Sequence, residues 1–321
     1  VGPFYRTALP TIRAAIKTRR HYIDIMDDYE SAEQALKLDE EAKQAGVTVL
    51  IGMGSSPGLT NILARHAASK LDEVDYIQTV WGHVGGVQRP RSALIKDREA
   101  LLGARVAVVW YHYIYGASFP VPVFRDGKFV KVIPLEAGEE VAFRNGKGFF
   151  WYYGHGEQVT LPRFIKGLMG ACNLMNDAPE HIAVLRELGA KVRAKQLTVE
   201  EAAAMFGPML YLKRLERPDY PVDLGPRVGG LISTAAGKKG RKRVRYGYGF
   251  TGAPAGGMAG ITGIPLAIGT NMIMTSEISQ RGVVAPEACI DPLPFIERYM
   301  KYWTNPPGTV RQALYEVIEE M

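Results

Sequence analysis

An apolar run at residues 47–51 feeds the glycine-rich turn Gly52-Met-Gly-Ser-Ser-Pro-Gly58, and a segment with helical spacing follows. A strand that leaves through a glycine turn into a helix belongs to a wound α/β sheet, and this unit constrains the fold more than any other stretch. Ser56 has the chemistry of an N-cap, and Pro57 suits the first helical position. The N–H groups of Gly58 and Leu59 then point into the turn. Two readings stay open here: an anion site at a helix N-terminus, or a well-capped crossover helix without a ligand.

The neighbouring residues repeat the unit. Residues 6–18 read as a helix with Leu9, Ile12 and Ile16 on one face. Residues 21–26 read as a short buried strand. Ser31 opens the next helix, Gln34 completes a capping box, and Gly46 closes it. Residues 47–52 are the next strand and 57–71 the next helix. Such alternation implies a parallel, right-handed sheet whose ligands bind outside the carboxyl ends of its strands. Those ends are Met26-Asp27-Asp28 and Gly54-Ser55-Ser56.

The pattern changes near residue 74. Residues 74–80 are strand-like, and 104–115 read as a helix rich in large aromatics. Asp126-Gly127 between the apolar runs 121–124 and 129–133 signals a hairpin. Residues 149–153 and 158–161 read as further strands, 178–208 as two helices, and 228–250 as a second hairpin. Residues 261–280 and 292–302 are again helical. The fold class is therefore α/β, with an α+β domain on a mainly antiparallel sheet interrupting it. The expected division is 1–75 for the parallel domain, 76–260 for the inserted domain, and 261–321 for helices returning to the first.

With 321 residues, 47% hydrophobic and 22% charged, the chain has the composition of a soluble globular protein. The apolar stretch 264–274 is interrupted by Gly269, Thr270 and Asn271 and is too short to span a membrane. No secretory signal is visible, so a cytoplasmic location and no membrane partner are expected. Cys172 and Cys289 are far apart and form no C-x-x-C pair, which gives no metal site. The net charge of +6 is concentrated at Lys238, Lys239, Arg241, Lys242, Arg243 and Arg245. No nucleic-acid motif accompanies these charges, so a solvated hairpin is favoured over a nucleic-acid patch. The chain starts Val-Gly-Pro-Phe without an initiator methionine, and an amino-terminal truncation is expected.

Gly247-Tyr-Gly-Phe-Thr-Gly252 matches G-x-G-x-x-G but is not followed by a helix, so it is read as glycine kinks at a strand end. Gly52, Gly54 and Gly58 do join a strand to a helix. The acidic residue expected at the end of the next strand is missing, which makes this a later loop of the crevice. Tyr152-Tyr-Gly-His155-Gly-Glu157 is a polar cluster at a strand end. His155 is a candidate for proton transfer, with Glu157 tuning it. His83 sits on a glycine-loosened segment. Arg89 and Arg91 are read as either a carboxylate clamp or a solvated basic loop. Tyr111, His112, Tyr113 and Tyr115 are read as packing rather than catalysis.

The chain resembles the saccharopine dehydrogenase family of NAD(P)-dependent oxidoreductases. The resemblance is carried by Gly2-Pro-Phe4, His21-Tyr-Ile-Asp24, Ala42-Lys-Gln-Ala-Gly46, Gly52-Met-Gly-Ser-Ser-Pro-Gly-Leu59, Thr262-Gly-Ile-Pro265 and Gly282-Val-Val-Ala-Pro-Glu287. It implies a partial Rossmann domain interrupted by an α+β substrate and dimerisation domain, and a phosphate loop upstream of Gly2, on roughly 75–90 missing residues. It also implies NADP or NAD as cofactor, a small amino-acid-like substrate and a homodimer. Position by position it assigns the cofactor to Gly2, Pro3, Phe4, His21, Tyr22, Asp24, Gly54, Ser55, Ser56, Pro57 and Gly58. Trp81, Arg91, Tyr153 and His155 fall to the substrate, and His155, Ser56 and Tyr22 to catalysis. The lysine-pathway reductases resemble this chain less at two places. They carry an aspartate where Ser56 aligns, and an arginine where this chain has Tyr153-Gly-His-Gly-Glu157. A related amine, imine or amino acid is therefore expected in place of saccharopine. Hydride transfer at a carbon–nitrogen centre is the leading expectation. Oxidative deamination of lysine or a similar amino acid, or a non-catalytic binding protein, are its rivals.

Overall fold

The computed structural model describes residues 3–102 and 108–321. Helix α1 (Phe4–Lys17) buries Ala8, Ile12 and Ile16, which recur every four residues on one face. Strand β1 (Tyr22–Ile23), α2 (Tyr29–Leu36), α3 (Asp39–Ala45), β2 (Thr48–Leu50) and α4 (Leu59–Ala68) follow. β1 and β2 pair in parallel, with Tyr22 opposite Val49.

Two helix starts differ from the sequence expectation. The helix expected to open at Ser31 starts at Tyr29, with Asp28 at its N-cap position, and is broken at Lys37 and Leu38. Ser31 is buried inside the first piece. Gly46 does end α3, in the left-handed conformation at φ 70°. After β2 the Ser56–Pro57 peptide is cis, and α4 starts at Leu59. Neither Ser56 nor Pro57 therefore caps it. The Gly58 N–H donates to Asn61 Oδ1 at 2.8 Å, and the Leu59 N–H donates to the Gly54 carbonyl at 3.0 Å. Both groups expected to face an anion are engaged, so the turn offers no free helix N-terminus.

The chain continues through β3 (Glu73–Val84), β4 (Val87–Gln88), α5 (Arg98–Leu102), α6 (Val108–Ser118), β5 (Val121–Arg125), β6 (Lys128–Val132), β7 (Gly138–Phe143), β8 (Gly146–Tyr152), α7 (Glu157–Phe164), β9 (Gly170–Asn176), α8 (Pro179–Arg193) and α9 (Val199–Leu215). β10 (Val222–Asp223), β11 (Val228–Gly229), β12 (Ile232–Lys239) and β13 (Lys242–Phe250) complete this region. Then come α10 (Gly257–Met274), β14 (Gly282–Val284), α11 (Pro286–Cys289), α12 (Pro292–Met300), α13 (Val310–Ala313) and β15 (Leu314–Glu320).

The large sheet runs β15-β13-β12-β3-β9-β5-β6, with β11 beside β3 and the β7–β8 hairpin beside β9. Its pairs are antiparallel except β3 with β9, where Thr79 lies opposite Asn173. Residues 158–161, expected as a strand, are helical in α7. All of Glu157–Leu161 is buried there, so the alternation that signals a half-buried strand carried no information. β15 was not foreseen; it pairs with β13 from Val244 opposite Glu320 to Phe250 opposite Leu314. Gly249 lies over the Tyr315 ring and Gly252 over the Trp303 ring, which accounts for two of the three glycines of the 247–252 motif by close packing.

The basic hairpin is threaded with ion pairs: Lys238 to Glu73 at 2.8 Å, Lys239 to Asp72 at 3.2 Å, Lys242 to Glu320 at 2.8 Å, and Arg243 to Asp75. These four cations thus face carboxylates of neighbouring segments.

α10 is one continuous helix, long and apolar enough by length and composition to cross a membrane. The glycine read as an interruption, Gly269, packs against Met53 and Ile23. β14 then joins the parallel sheet on the far side of β2, with Val283 opposite Val49. The order β1-β2-β14 sets its carboxyl ends at residues 24–28 and 51–56.

His66, 6% exposed on α4, meets the Tyr248 ring edge-on at 4.5 Å. Burial, helped by Lys70, lowers its pKa to about 4. The unfolded imidazole titrates near 6.5, so the folded state is favoured above that pH and loses this advantage as pH falls toward 4. Stability should drop by roughly 2–3 kcal/mol across that window from this group. Urea unfolding of His66→Gln at several pH values should show a shallower acid slope; an unchanged slope sinks this assignment.

Candidate functional site

The carboxyl ends of β1 and β2 face the segment that links β8 to α7 and the middle of α6. Asp27 and Asp28 come from the loop after β1, Ser56 from the turn after β2, His112 from α6, His155 from the β8–α7 link and Glu157 from the first position of α7. Ser56 Oγ donates to Glu157 Oε1 at 2.5 Å and lies 3.3 Å from His155 Nδ1. His155 Nε2 is 3.4 Å from His112 Nε2. His112 Nδ1 meets Asp28 Oδ1 at 3.1 Å, and its Nε2 is 3.5 Å from Asp27 Oδ2.

Local sequence dictates this convergence. Asp28 stands at the N-cap of α2 but makes no capping bond; its carboxylate goes to His112 instead. Gly154 lets the β8–α7 link press against Tyr29 and Val121, and Gly156 passes Pro57. Trp81, on β3, stacks flat on His155 with centroids 5.1 Å apart. Its indole N–H donates to Asn173 Oδ1 at 3.1 Å. Asn173 Nδ2 in turn reaches Thr79 Oγ1 at 3.0 Å and Glu157 Oε1 at 3.3 Å. Thr60 Oγ1 also donates to Glu157 Oε1, at 2.8 Å.

The electrostatics divide the titratable groups. Burial pushes His155 well below the usual imidazole range, and the neighbouring His112 adds to this. Burial also opposes charge on His112, but Asp27 and the Asp28 hydrogen bond outweigh it and raise its pKa to about 9. Burial raises Glu157 to about 7 against the hydrogen bonds from Ser56 and Thr60. Its second oxygen, Oε2, is buried without a hydrogen-bond partner among the described residues, 3.7 Å from His155 Nδ1. A neutral imidazole, a hydroxyl and a carboxyl of raised pKa in mutual reach form a unit able to hold and pass a proton.

Of the residues singled out in the sequence, the structure brings together Ser56, Trp81, Tyr153 and His155. Tyr153 is fully buried, with its hydroxyl donating to the Tyr113 carbonyl at 2.9 Å. It forms the wall behind the site, in a slot that Gly116 leaves open. Asp24 and Tyr22 act below it. Tyr22 Oη donates to Asp24 Oδ2 at 2.8 Å, and Asp24 Oδ1 accepts from the N–H groups of Gly52 and Met26 at 2.9 and 3.1 Å. That carboxylate staples the two strand ends together. Gly54 and Gly58 form the closed turn, bridged to each other, with Ser55 and Pro57 between them.

The others stand apart. His21, at the amino end of β1, accepts from the Thr48 N–H at 2.9 Å. Pro3 precedes α1, where its carbonyl accepts from Arg6 and Thr7, and Phe4 opens that helix and packs on the core built from Ile12, Ile16 and Val49. Arg91 is exposed, with its N–H on the Pro218 carbonyl. Gly2 lies outside the described residues. His112, read from the sequence as packing, is a member of the site. The signal that pointed toward it was the pair of strand-end carboxylates it binds.

The model of the saccharopine dehydrogenase C-terminal domain matches residues 54–304. Carboxyaminopropylagmatine dehydrogenase of Synechocystis sp. (strain ATCC 27184 / PCC 6803 / Kazusa) is 25% identical over 276 residues, covering 81% of this chain and 64% of that protein. The chain thus spans less than two thirds of that curated relative's length. Among solved structures, apo saccharopine dehydrogenase (L-Glu forming) from Saccharomyces cerevisiae superposes with a TM-score of 0.51 at 14% identity, covering 98% of this chain and 83% of that one. Homospermidine synthase from Legionella pneumophila, solved in complex with NAD, gives 0.52 at 12% identity, covering 97% and 73%. These two similarities establish the fold.

Proposed function

Because the chain belongs to the saccharopine dehydrogenase family, we propose that it carries the reaction centre of a nicotinamide-dependent oxidoreductase acting at a carbon–nitrogen bond of an amine-bearing, amino-acid-like substrate. The observation that carries this reading is the meeting of Ser56, at the carboxyl end of the parallel sheet, with His155 and Glu157 where β8 of the large sheet leads into α7. In wound α/β sheets that end is where ligands react.

The residues present fit the reacting end of NAD or NADP. Ser56 offers a hydroxyl, while Trp81, stacked with both His155 and Tyr113, backs the imidazole. They do not fit its diphosphate at the start of α4, where the Gly58, Leu59 and Thr60 N–H groups are already bonded. A bound nicotinamide supplies or accepts the hydride. The chain's own part is the proton. Ser56 passes it between the substrate nitrogen and Glu157, while His155 holds Ser56 in line and shares the proton through Nδ1. Burial of His155 and Glu157 keeps bulk water from exchanging it.

The expected result is oxidation of NADH or NADPH when the protein is mixed with a 2-oxo acid or aldehyde together with an amine or amino acid, read by loss of nicotinamide absorbance. Ser56→Ala should lower kcat by roughly 10²-fold with a smaller effect on KM. No turnover across such a panel, in either direction, would leave a non-catalytic binding protein that kept the fold.

A further inference from the structure

We propose that Asp27, His112 and His155 together hold a divalent transition-metal ion, with zinc the best match. Three potential ligand atoms, His112 Nε2, His155 Nε2 and an Asp27 carboxylate oxygen, lie within 4.8 Å of one another. A tetrahedral zinc with bonds of about 2.0–2.1 Å sets its ligand atoms roughly 3.4 Å apart. The two imidazole nitrogens are 3.4 Å apart, and His112 Nε2 is 3.5 Å from Asp27 Oδ2. The third edge closes by rotation of Asp27, whose side chain is 33% exposed.

The surroundings point the same way. A metal-binding imidazole needs its other nitrogen held by a hydrogen bond, commonly to a carboxylate. His112 Nδ1 is held by Asp28 at 3.1 Å. His155 Nδ1 faces Ser56 Oγ at 3.3 Å and Glu157 Oε2 at 3.7 Å. Both Nε2 atoms are thereby turned toward each other, an arrangement that a shared cation satisfies better than a single N–H···N bond. Two nitrogens and one carboxylate oxygen are a zinc-type donor set and a poor one for magnesium or calcium. Three protein ligands leave a fourth position for water. The ligands come from the β1 loop, from α6 and from the β8–α7 link, so the ion ties the parallel sheet to the larger one. Cysteine spacing could not reveal such a site, since its ligands are 85 and 43 residues apart in sequence and none is a cysteine.

The inference stands independently of the hydride-transfer reading, because its test needs no turnover. The chelator-stripped 321-residue chain, titrated with Zn²⁺ against a chromophoric competitor, should take up one equivalent and melt at a higher temperature when loaded. Co²⁺ in its place should give the visible absorption of a tetrahedral site. Asp27→Asn and His112→Asn should each weaken Zn²⁺ binding by more than about 100-fold, and Asp28→Asn by roughly 10–100-fold. His66→Gln, at a side chain packed on Tyr248 of β13 and in contact with none of the three ligands, should leave binding unchanged. If His112→Asn fails to fold, the partly exposed Asp27→Asn and the Co²⁺ spectrum decide. Failure of the wild-type chain to bind an equivalent, or binding that survives Asp27→Asn at full strength, overturns the proposal.

Discussion

His155→Ala is expected to lower kcat by roughly 10²–10⁴-fold while leaving the affinity for the nicotinamide cofactor nearly unchanged. The imidazole is 5% exposed, stacked on Trp81 and within 3.3 Å of Ser56. Its loss frees the serine to rotate and leaves the buried Glu157 oxygen further from any donor. Steady-state kinetics measure the first effect, and cofactor fluorescence titration the second. A variant with full activity would remove His155 from the reaction. Glu157→Gln is the companion measurement. It keeps the side chain's shape and its bond from Ser56, but a glutamine cannot take up the proton. A comparable fall in kcat with Zn²⁺ uptake retained would separate proton handling from metal binding, because Glu157 touches only the outer nitrogen of His155.

Gly58→Ala should destabilise the chain by more than about 3 kcal/mol. Gly58 sits at φ 127°, which side-chain-bearing residues rarely adopt, and a Cβ there would overlap the backbone oxygen and nitrogen of Gly54. Relief requires opening the turn that presents Ser56. That turn is closed by the bonds from Gly54 N–H to the Pro57 carbonyl and from Leu59 N–H to the Gly54 carbonyl, each 3.0 Å. The urea midpoint measures the loss. A change below about 1 kcal/mol, within the range of ordinary surface substitutions and small repacking, would mean the turn tolerates opening.

Much of the scaffold was legible because it rests on periodicity and punctuation. The face Leu9, Ile12, Ile16, the left-handed Gly46 and the Asp126-Gly127 hairpin all declare themselves over a few residues. Where burial is uniform, the period vanishes, and residues 158–161 were misread as a strand for that reason. The start of α4 was misread because the local rules for Ser and Pro at a helix start were overruled by Gly58 and the side chain of Asn61. In the site, Ser56 and His155 were found from strand ends and polar clustering. His112 was hidden among the tyrosines of α6, where nothing local distinguishes a ring that packs from one that binds two carboxylates brought from a distant loop.

The two strands contributed by the last part of the chain also bear on synthesis. β14 completes the parallel sheet and β15 the edge of the large one. Thr48 Oγ1 bonds the Gln280 carbonyl across 232 positions of sequence. As the polypeptide emerges from the ribosome, β2 must therefore wait for the 232 residues from Thr48 to Gln280 to be made before its neighbour β14 arrives. Contacts of such sequence separation form slowly, and a nascent chain in this interval exposes an open β-edge to chaperones and to its own kind.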